Sequence, residues 1–296
     1  GFRVGMRFSI SGSSNNDSVA SGFYTIASIN DTEITLSLGA ELTSSDDSSV
    51  TLSRSVTINK IFVDQRDDVD IFSQQGAVSA IANNSGAFNE ASIFLGSSSG
   101  LKIDKIESSG VVRIKAQGDL SNANANQTDV NIIGENVVLE AGSGAIGGLG
   151  SAIITDVEVG TAITARATGD IHLIEVSGDI EIGTLFSQQG GINLSANQGS
   201  IIDGLNHDFA NISAKSSLIL VASNGIGSSS NPLELDMQPN NAGFIDLSAS
   251  SGDVVVTELV GNMALRTVKA LAGDVTLVAQ GSILDLIDEN NTAQDS

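Results

Sequence analysis

The chain has 296 residues and a formal net charge of −22, because 35 Asp and Glu outnumber 13 Lys and Arg. An acidic surface of this kind repels phosphate backbones and anionic lipids, so neither nucleic acid nor a charged membrane surface is an expected partner. The absence of cysteine excludes disulfides and thiolate metal sites, and no apolar run approaches the roughly 20 residues of a membrane-spanning helix, so membrane insertion is not expected.

The composition predicts a β-rich chain with many tight corners. There are 32 glycines and only 2 prolines, and the 41% of hydrophobic residues are mostly Ile, Leu, Val and Ala. This hydrophobic fraction is too high for intrinsic disorder. With no Trp and 1 Tyr, the core has to be built from stacked aliphatic side chains.

The first part of the chain, residues 1–58, predicts a small antiparallel β-module, either a barrel or a sandwich. Phe2, Phe8, Phe23 and Tyr24 gather near its beginning, so this part is expected to have a core of its own. Alternating segments between polar turns predict strands at Phe2–Ser11, Gly22–Ile29, Glu33–Leu38 and Ser49–Thr57.

Residues 59–289 contain an internal repeat. The segment Gly169–Asp203 returns as Gly252–Asp285, and both copies alternate apolar and polar residues between glycine-containing corners. Equivalent glycines recur about every 81 residues, and inside the first copy a shorter interval of 21 residues separates Gly169 from Gly190.

The two intervals together favour an all-β fold, a right-handed parallel β-helix. Tandem sandwich domains explain a repeat of about 80 residues without the shorter interval, and propeller blades of about 40 to 50 residues fit neither. A β-solenoid coil of about 20 to 22 residues explains both if four coils make the longer unit. Ile171 and Leu173 are then expected to point inward, while His172 and Asn193 point outward.

The aspartates that follow glycine have two interpretations. Parallel β-helices also carry polysaccharide lyases and hydrolases, in which Asp170, Asp179, Asp253 and Asp274 would form a stacked carboxylate face. A short polar side chain after glycine also caps a turn, however, and all four aspartates occupy that position. We therefore predict that they form corners, that the chain is not an enzyme, and that it has no catalytic residue.

The densest acidic cluster is the candidate metal site. Asp64, Asp67, Asp68 and Asp70 lie within VDQRDDVDIF, and calcium prefers several such oxygen ligands. Arg66 lies inside the cluster, and the spacing matches neither an EF-hand loop nor a glycine-rich calcium repeat. A solvated junction between module and solenoid and a weak calcium site are the two interpretations, and no other cofactor is expected.

Other site chemistry finds little support in the sequence. The only two histidines, His172 and His207, are isolated and lack metal-ligand spacing, so they are expected to be ordinary exposed side chains. The chain contains no G-x-S-x-G motif, and its glycine-rich segment 142–150 lacks the lysine of a phosphate-binding loop.

Three motifs resemble those of a known family. They are G-D-I-x-L at 169–173, A-x-x-G-S-I-x-D at 196–203 and L-I-L-x-A-x-x-G-I-G-x-x-x-x-P-L at 218–233. They resemble the β-helical repeats of filamentous-haemagglutinin-like proteins, which are large exported bacterial surface proteins and adhesins. The resemblance implies an extended extracellular stalk at the bacterial cell surface. Its partners would be further repeats of the same polypeptide, neighbouring copies, glycans, or surface molecules of a host or another cell.

We therefore expect a structural and adhesive segment of a large surface protein or fibre. One alternative is a carbohydrate-active β-helix enzyme, which needs a single groove with unlike, converging charged residues, whereas a stalk shows regular Ser, Thr and Asn ladders. A second alternative is a self-assembling filament or surface-layer subunit. Because the sequence starts at Gly1 without an initiator methionine, we expect an internal piece of a longer polypeptide, with a polar tail or linker at 290–296.

Overall fold

A computed structural model of the protein describes residues 7–11, 24–29, 34–36, 51–53, 69–70, 76–82, 91–124, 128–206, 208–237 and 243–286. These residues form strands, turns and bends, and no helix among them could cross a membrane. The chain divides into two compact units, Gly1–Lys60 and Ile61–Ser296.

The amino-terminal unit contains an antiparallel sheet. The strands are β1 (Arg7–Ser11), β2 (Tyr24–Ile29), β3 (Ile34–Leu36) and β4 (Thr51–Ser53), and the sheet order is β3-β2-β1-β4. Each strand falls inside a segment predicted from alternation, which confirms a small antiparallel module. Ile26 on β2 is only 1% exposed.

The second unit is a parallel β-solenoid. Its strands in the described residues are β5 (Val69–Asp70), β6 (Val78–Ala82), β7 (Ile93–Ser97), β8 (Leu101–Ala116), β9 (Leu120–Asn122), β10 (Ile132–Ala141), β11 (Ile153–Val157), β12 (Ala162–Ala167), β13 (Ile171–Glu175), β14 (Ile180–Ser187), β15 (Ile192–Ala196), β16 (Ile201–Asp203), β17 (Ile212–Ala214), β18 (Leu218–Ala222), β19 (Leu233–Met237), β20 (Ile245–Ala249), β21 (Val254–Glu258), β22 (Met263–Ala270), β23 (Val275–Ala279) and β24 (Ile283–Asp285). They wind through about eight turns between β7 and β23, so the predicted all-β solenoid is confirmed.

Each coil places strands in two stacks, which alternate along the chain. The first stack runs through β11, β13, β15, β18, β20, β22 and β24. The second stack runs through β12, β14, β17, β19, β21 and β23. The longer strands β8 and β10 contribute to both stacks. Every strand thus pairs with the strand one coil away, at the roughly 4.8 Å spacing of neighbouring strands.

The core is a column of aliphatic side chains inside the coils. Ile171 and Leu173 are 0% and 1% exposed, whereas His172 between them is only partly buried. Ile192 in the next coil pairs with Ile171 and is also buried, so like side chains stack on like. The predicted inward and outward faces are confirmed. Each such buried Ile or Leu stabilises the fold by about 1.5–3 kcal/mol.

The coils differ in length more than predicted. Paired residues are 21 apart at Ile171 and Ile192, but 19 apart at Ile163 and Ile182. The pair Leu185 and Ile212 is 27 apart. The predicted range of coil lengths is therefore too narrow, because some coils carry insertions that leave the strand pairing unchanged.

Two of these insertions are short hairpins at equivalent places in the repeat. Residues 147–152 lie between Ile146 and β11, and residues 227–232 lie between Ile226 and β19. In the first hairpin Gly148 and Ser151 exchange backbone hydrogen bonds of 3.1 and 2.9 Å. The second hairpin does the same, so both project from a strand position without interrupting its stack.

The long repeat does not contain a whole number of coils. In the first stack, successive coils align Leu120, Ile146, Ile171, Ile192 and Leu218. Ile201 is the repeat equivalent of Leu120, lies between Ile192 and Leu218 in the chain, and pairs in the second stack with Ile226. The two copies are therefore between three and four coils apart rather than the predicted four, and equivalent residues lie in different stacks.

Candidate functional site

The predicted calcium cluster lies outside the described residues at Asp64, Asp67 and Asp68. Asp70 ends the short strand β5, whose backbone alone is described. The calcium site stays a prediction. In the stretches that the structure describes, no three His, Asp or Glu side chains are grouped to hold a metal ion.

The aspartates that follow glycine join one coil to the next. Asp170 Oδ1 accepts a hydrogen bond of 2.7 Å from the backbone N–H of Gly191, one coil further on. Asp119, Asp179 and Asp253 accept the same kind of bond, at 2.8, 2.7 and 2.9 Å. The predicted corner role is confirmed for Asp170, Asp179 and Asp253, although the bond reaches the following coil rather than closing the residue's own turn.

The glycine one coil after such an aspartate leaves room for this hydrogen bond, because it has no side chain. A Cβ atom at Gly190 would lie 2.4 Å from Asp170 Oδ1 and 2.7 Å from the Asp170 nitrogen. Gly169 and Gly190 occupy equivalent corners, as their spacing predicted, because Ile171 pairs with Ile192. The Gly-Asp sequence is therefore a device for stacking coils closely.

Hydroxyl side chains form a second set of links between coils. Ser143 Oγ donates to the Gln117 carbonyl at 2.7 Å, and Thr168 Oγ1 donates to the Gly142 carbonyl of the coil before it at 2.8 Å. Another corner carries the same kind of links: Ser223 Oγ donates to the Asn197 carbonyl at 2.6 Å, and Ser251 Oγ donates to the Ser223 carbonyl at 2.9 Å. Hydroxyl side chains thus join neighbouring coils at more than one corner.

Two buried asparagines, which the sequence analysis missed, bind the strands that follow the two hairpins. Each accepts a backbone N–H of that strand. Asn131 is 0% exposed, and its Oδ1 accepts the Ile154 N–H at 2.9 Å while its Nδ2 lies 2.9 Å from Asn122 Oδ1. Its repeat equivalent, Asn211, is also 0% exposed and accepts the Glu234 N–H at 3.0 Å. Their recurrence at equivalent positions of the repeat was the available signal.

Two buried glutamates are also among the polar residues of the core. Glu175 and Glu258 end β13 and β21 and are 0% and 1% exposed. Burial raises the pKa of each to about 7, and the hydrogen bond from the Thr155 hydroxyl opposes this rise at Glu175. Both follow two inward-facing aliphatic residues in alternation, a pattern that predicts an inward position whatever the residue type.

The surface around His172 is a shallow cavity of about 190 Å³ beside the first hairpin. Gly148, Gly150, Asn193 and Ser195 contribute to its lining, which includes no carboxylate. Partial burial lowers the pKa of His172, against the raising effect of Asp170. Glycoside hydrolysis needs two carboxyl groups about the reacting bond, and this lining does not supply them. The other histidine, His207, lies outside the described residues.

The carboxyl-terminal coil leaves part of its core exposed. Val275 is 46% exposed, although Val254, its partner one coil earlier, is 0% exposed. Ile283 is 49% exposed, whereas its partner Met263 is fully buried. These positions therefore have apolar side chains like those of the core, at the edge of the strand stack.

No protein-family model matches the chain, and no curated protein or solved structure is significantly similar to it. What the fold and the site establish is a repetitive parallel β-solenoid whose polar side chains join neighbouring coils.

Proposed function

We propose that the chain is a structural and adhesive segment of a large exported bacterial surface protein or fibre. The observation that carries this proposal is the use made of its polar side chains. Aspartates, serines and threonines that could have formed a site instead bond one coil to the next at successive corners. A rod needs that arrangement, because each coil contacts only its neighbours.

The open carboxyl-terminal edge supports the same proposal. A further coil of the same polypeptide, stacked on β23 and β24, would cover Val275 and Ile283 as the preceding coils cover Val254 and Met263. The partners that we propose first are therefore further repeats. Contacts with glycans or with molecules of another cell surface would be made by the outward faces and the hairpins of the rod.

The motif resemblance to filamentous-haemagglutinin-like proteins supports the proposed location outside the cell. The acidic surface supports it too, because strong net charge keeps an extended protein soluble and limits association between copies. We propose a non-enzymatic role because the described outer faces show repeated links between coils. The cavity beside His172 has no carboxylate in its lining.

Surface labelling of intact cells tests the proposal. Antibodies raised against residues 91–286 are expected to label unpermeabilised cells of the organism that makes the protein, and brief external protease treatment should remove the label. An antibody against a cytoplasmic protein is the control for intact membranes. Labelling that requires permeabilisation would contradict the proposed location, and turnover of a polysaccharide by the purified chain would contradict the non-enzymatic role.

A further inference from the structure

Glu258 is a buried acid with one carboxylate oxygen that lacks a hydrogen-bond partner among the described residues, as Asp236 Oδ1 on β19 also does. It ends β21 and is 1% exposed. Its Oε1 accepts hydrogen bonds from the backbone N–H groups of Met237 at 3.0 Å and Val260 at 3.4 Å. Its Oε2 is buried and has no hydrogen-bond partner among the residues that the structure describes. An ionised carboxylate in this place would keep a desolvated, uncompensated oxygen.

The repeat supplies an internal comparison. Glu175 is the equivalent of Glu258, and its Oε1 accepts the Val157 N–H at 3.0 Å in the same way. Its Oε2, however, accepts the Thr155 hydroxyl at 2.7 Å. The residue equivalent to Thr155 is Leu235, which pairs directly with Glu258. The second copy has therefore kept the acid and replaced its hydroxyl donor with an aliphatic side chain.

The charges around Glu258 do not compensate for the missing donor. Asp236 on β19 raises its pKa further, and Glu234 is the other acid on that strand. The paired strand β23 has the sequence VTLVA, which contains no ionisable side chain. The cation Arg266 on β22 is paired with Asp246 on β20, and it does not contribute to the pKa of Glu258.

We propose that Glu258 is a proton-dependent latch, which carries a proton while β19, β21 and β23 are stacked and loosens these carboxyl-terminal coils when that proton is lost. Protonation removes the charge from the oxygen that has no donor. Ionisation restores the charge, and water can solvate it only if the coils separate.

The direction of the pH dependence follows from the pKa of Glu258. Burial raises it from 4.5 to about 7 in the folded chain, and in a locally opened state it returns towards 4.5. The closed state therefore binds the proton more tightly than the open state. The stabilising contribution is fully present below about pH 4.5 and is lost as pH rises through about 7.

The position of Glu258 confines this effect to one end of the solenoid. On its carboxyl-terminal side β21 is covered by β23, and β23 has the exposed edge described above, so local opening there separates few contacts. Glu175 lies in the middle of the first stack, between β11 and β15, where opening would break the stacking on both sides. The same acid is therefore a switch in one copy and a fixed core residue in the other.

Hydrogen exchange of the full chain, read by mass spectrometry, tests the latch. Exchange is measured at pH 5.5 and pH 8 and divided by the intrinsic exchange rate at each pH. We expect protection of peptides from 254–279 to fall by about 30-fold between these values, given pKa values of 4.5 and about 7. Peptides from 171–196 are expected to change much less.

Three variants make the test specific. Glu258→Gln, which cannot ionise, is expected to reduce the fall to less than about 3-fold, and Leu235→Thr, which restores the hydroxyl donor of the first copy, should also reduce it. Glu175→Gln is the matched control and should keep the full fall at 254–279. If Glu258→Gln does not fold, Leu235→Thr alone decides. A fall in Glu258→Gln or, where that variant does not fold, in Leu235→Thr as large as in the parent chain would overturn the proposal.

Discussion

Replacing Asn131 with leucine is expected to lower the free energy of unfolding by about 3 to 5 kcal/mol. Leucine has the same number and branching of side-chain heavy atoms as asparagine, so it leaves no cavity, but it cannot replace the amide. The buried Ile154 N–H would lose its acceptor, and the Asp104 carbonyl would lose the Nδ2 donor 3.1 Å away. The Ile103 carbonyl would lose the same donor and keep only the Ala123 N–H, at 2.8 Å. Each buried polar group left without a partner costs about 1–3 kcal/mol.

A matched control is Asn193→Leu, on an outward position of β15. This change should alter stability by less than about 0.5 kcal/mol, as surface substitutions usually do. Urea unfolding followed by circular dichroism measures both variants. If Asn131→Leu were no less stable than Asn193→Leu, the buried amide would not be holding the coils together.

Replacing Gly199 with valine is expected to prevent stable folding, or to cost at least about 4 kcal/mol. A Cβ atom at Gly199 would lie 1.8 Å from the Gly178 carbonyl oxygen and 2.6 Å from the Asp179 nitrogen. Both atoms are backbone atoms of the preceding coil, so no side-chain rotation can relieve the overlap. The coils would have to separate at this corner.

Gly148→Ala is the comparison for the glycine variant, because a Cβ atom there meets only the movable Ser151 hydroxyl, at 3.0 Å. Thermal unfolding should leave this variant within a few degrees of the parent chain. If Gly199→Val had the same melting temperature as Gly148→Ala, the two coils would not approach each other at Gly178 as described.

The sequence was sufficient to predict the solenoid and its inward face. Alternation at Ile171, His172 and Leu173 indicates a strand with one buried side, and the short interval between Gly169 and Gly190 indicates a coil. The corner role of Asp170 followed from its position after Gly169. These predictions succeeded because they rest on local geometry, which repeats wherever the residues repeat.

The relation between the repeat and the coils could not be predicted from the sequence. A sequence interval counts residues, whereas a coil is defined by which strands pair. The hairpins 147–152 and 227–232 add residues without adding a strand position to the stack. The long repeat therefore has the length of four short coils, although it spans fewer than four coils of unequal length.

The buried polar residues were missed for a different reason. Asn131, Asn211, Glu175 and Glu258 are residue types usually found at the surface. Only their recurrence in both copies, together with the inward position of the two glutamates, marks them as core residues. Their partners, such as the Thr155 hydroxyl and the Ile154 N–H, come from another coil, and the sequence alone does not show which residues of different coils meet.

Engineered disulfides test the central claim, the pairing of strands across coils of unequal length, most directly. The chain has no cysteine, so any cross-link in a double-cysteine variant is the engineered one. In the observed strand register Ser195 pairs with Val221. If this coil had the same length as the coil from Ile171 to Ile192, Ser195 would instead pair with Ser216. Paired Cα atoms at strand spacing lie within the roughly 4.4–6.8 Å range of a disulfide. Ser195→Cys with Val221→Cys should therefore oxidise readily in the folded chain, and Ser195→Cys with Ser216→Cys should not. The opposite result would contradict the described stacking.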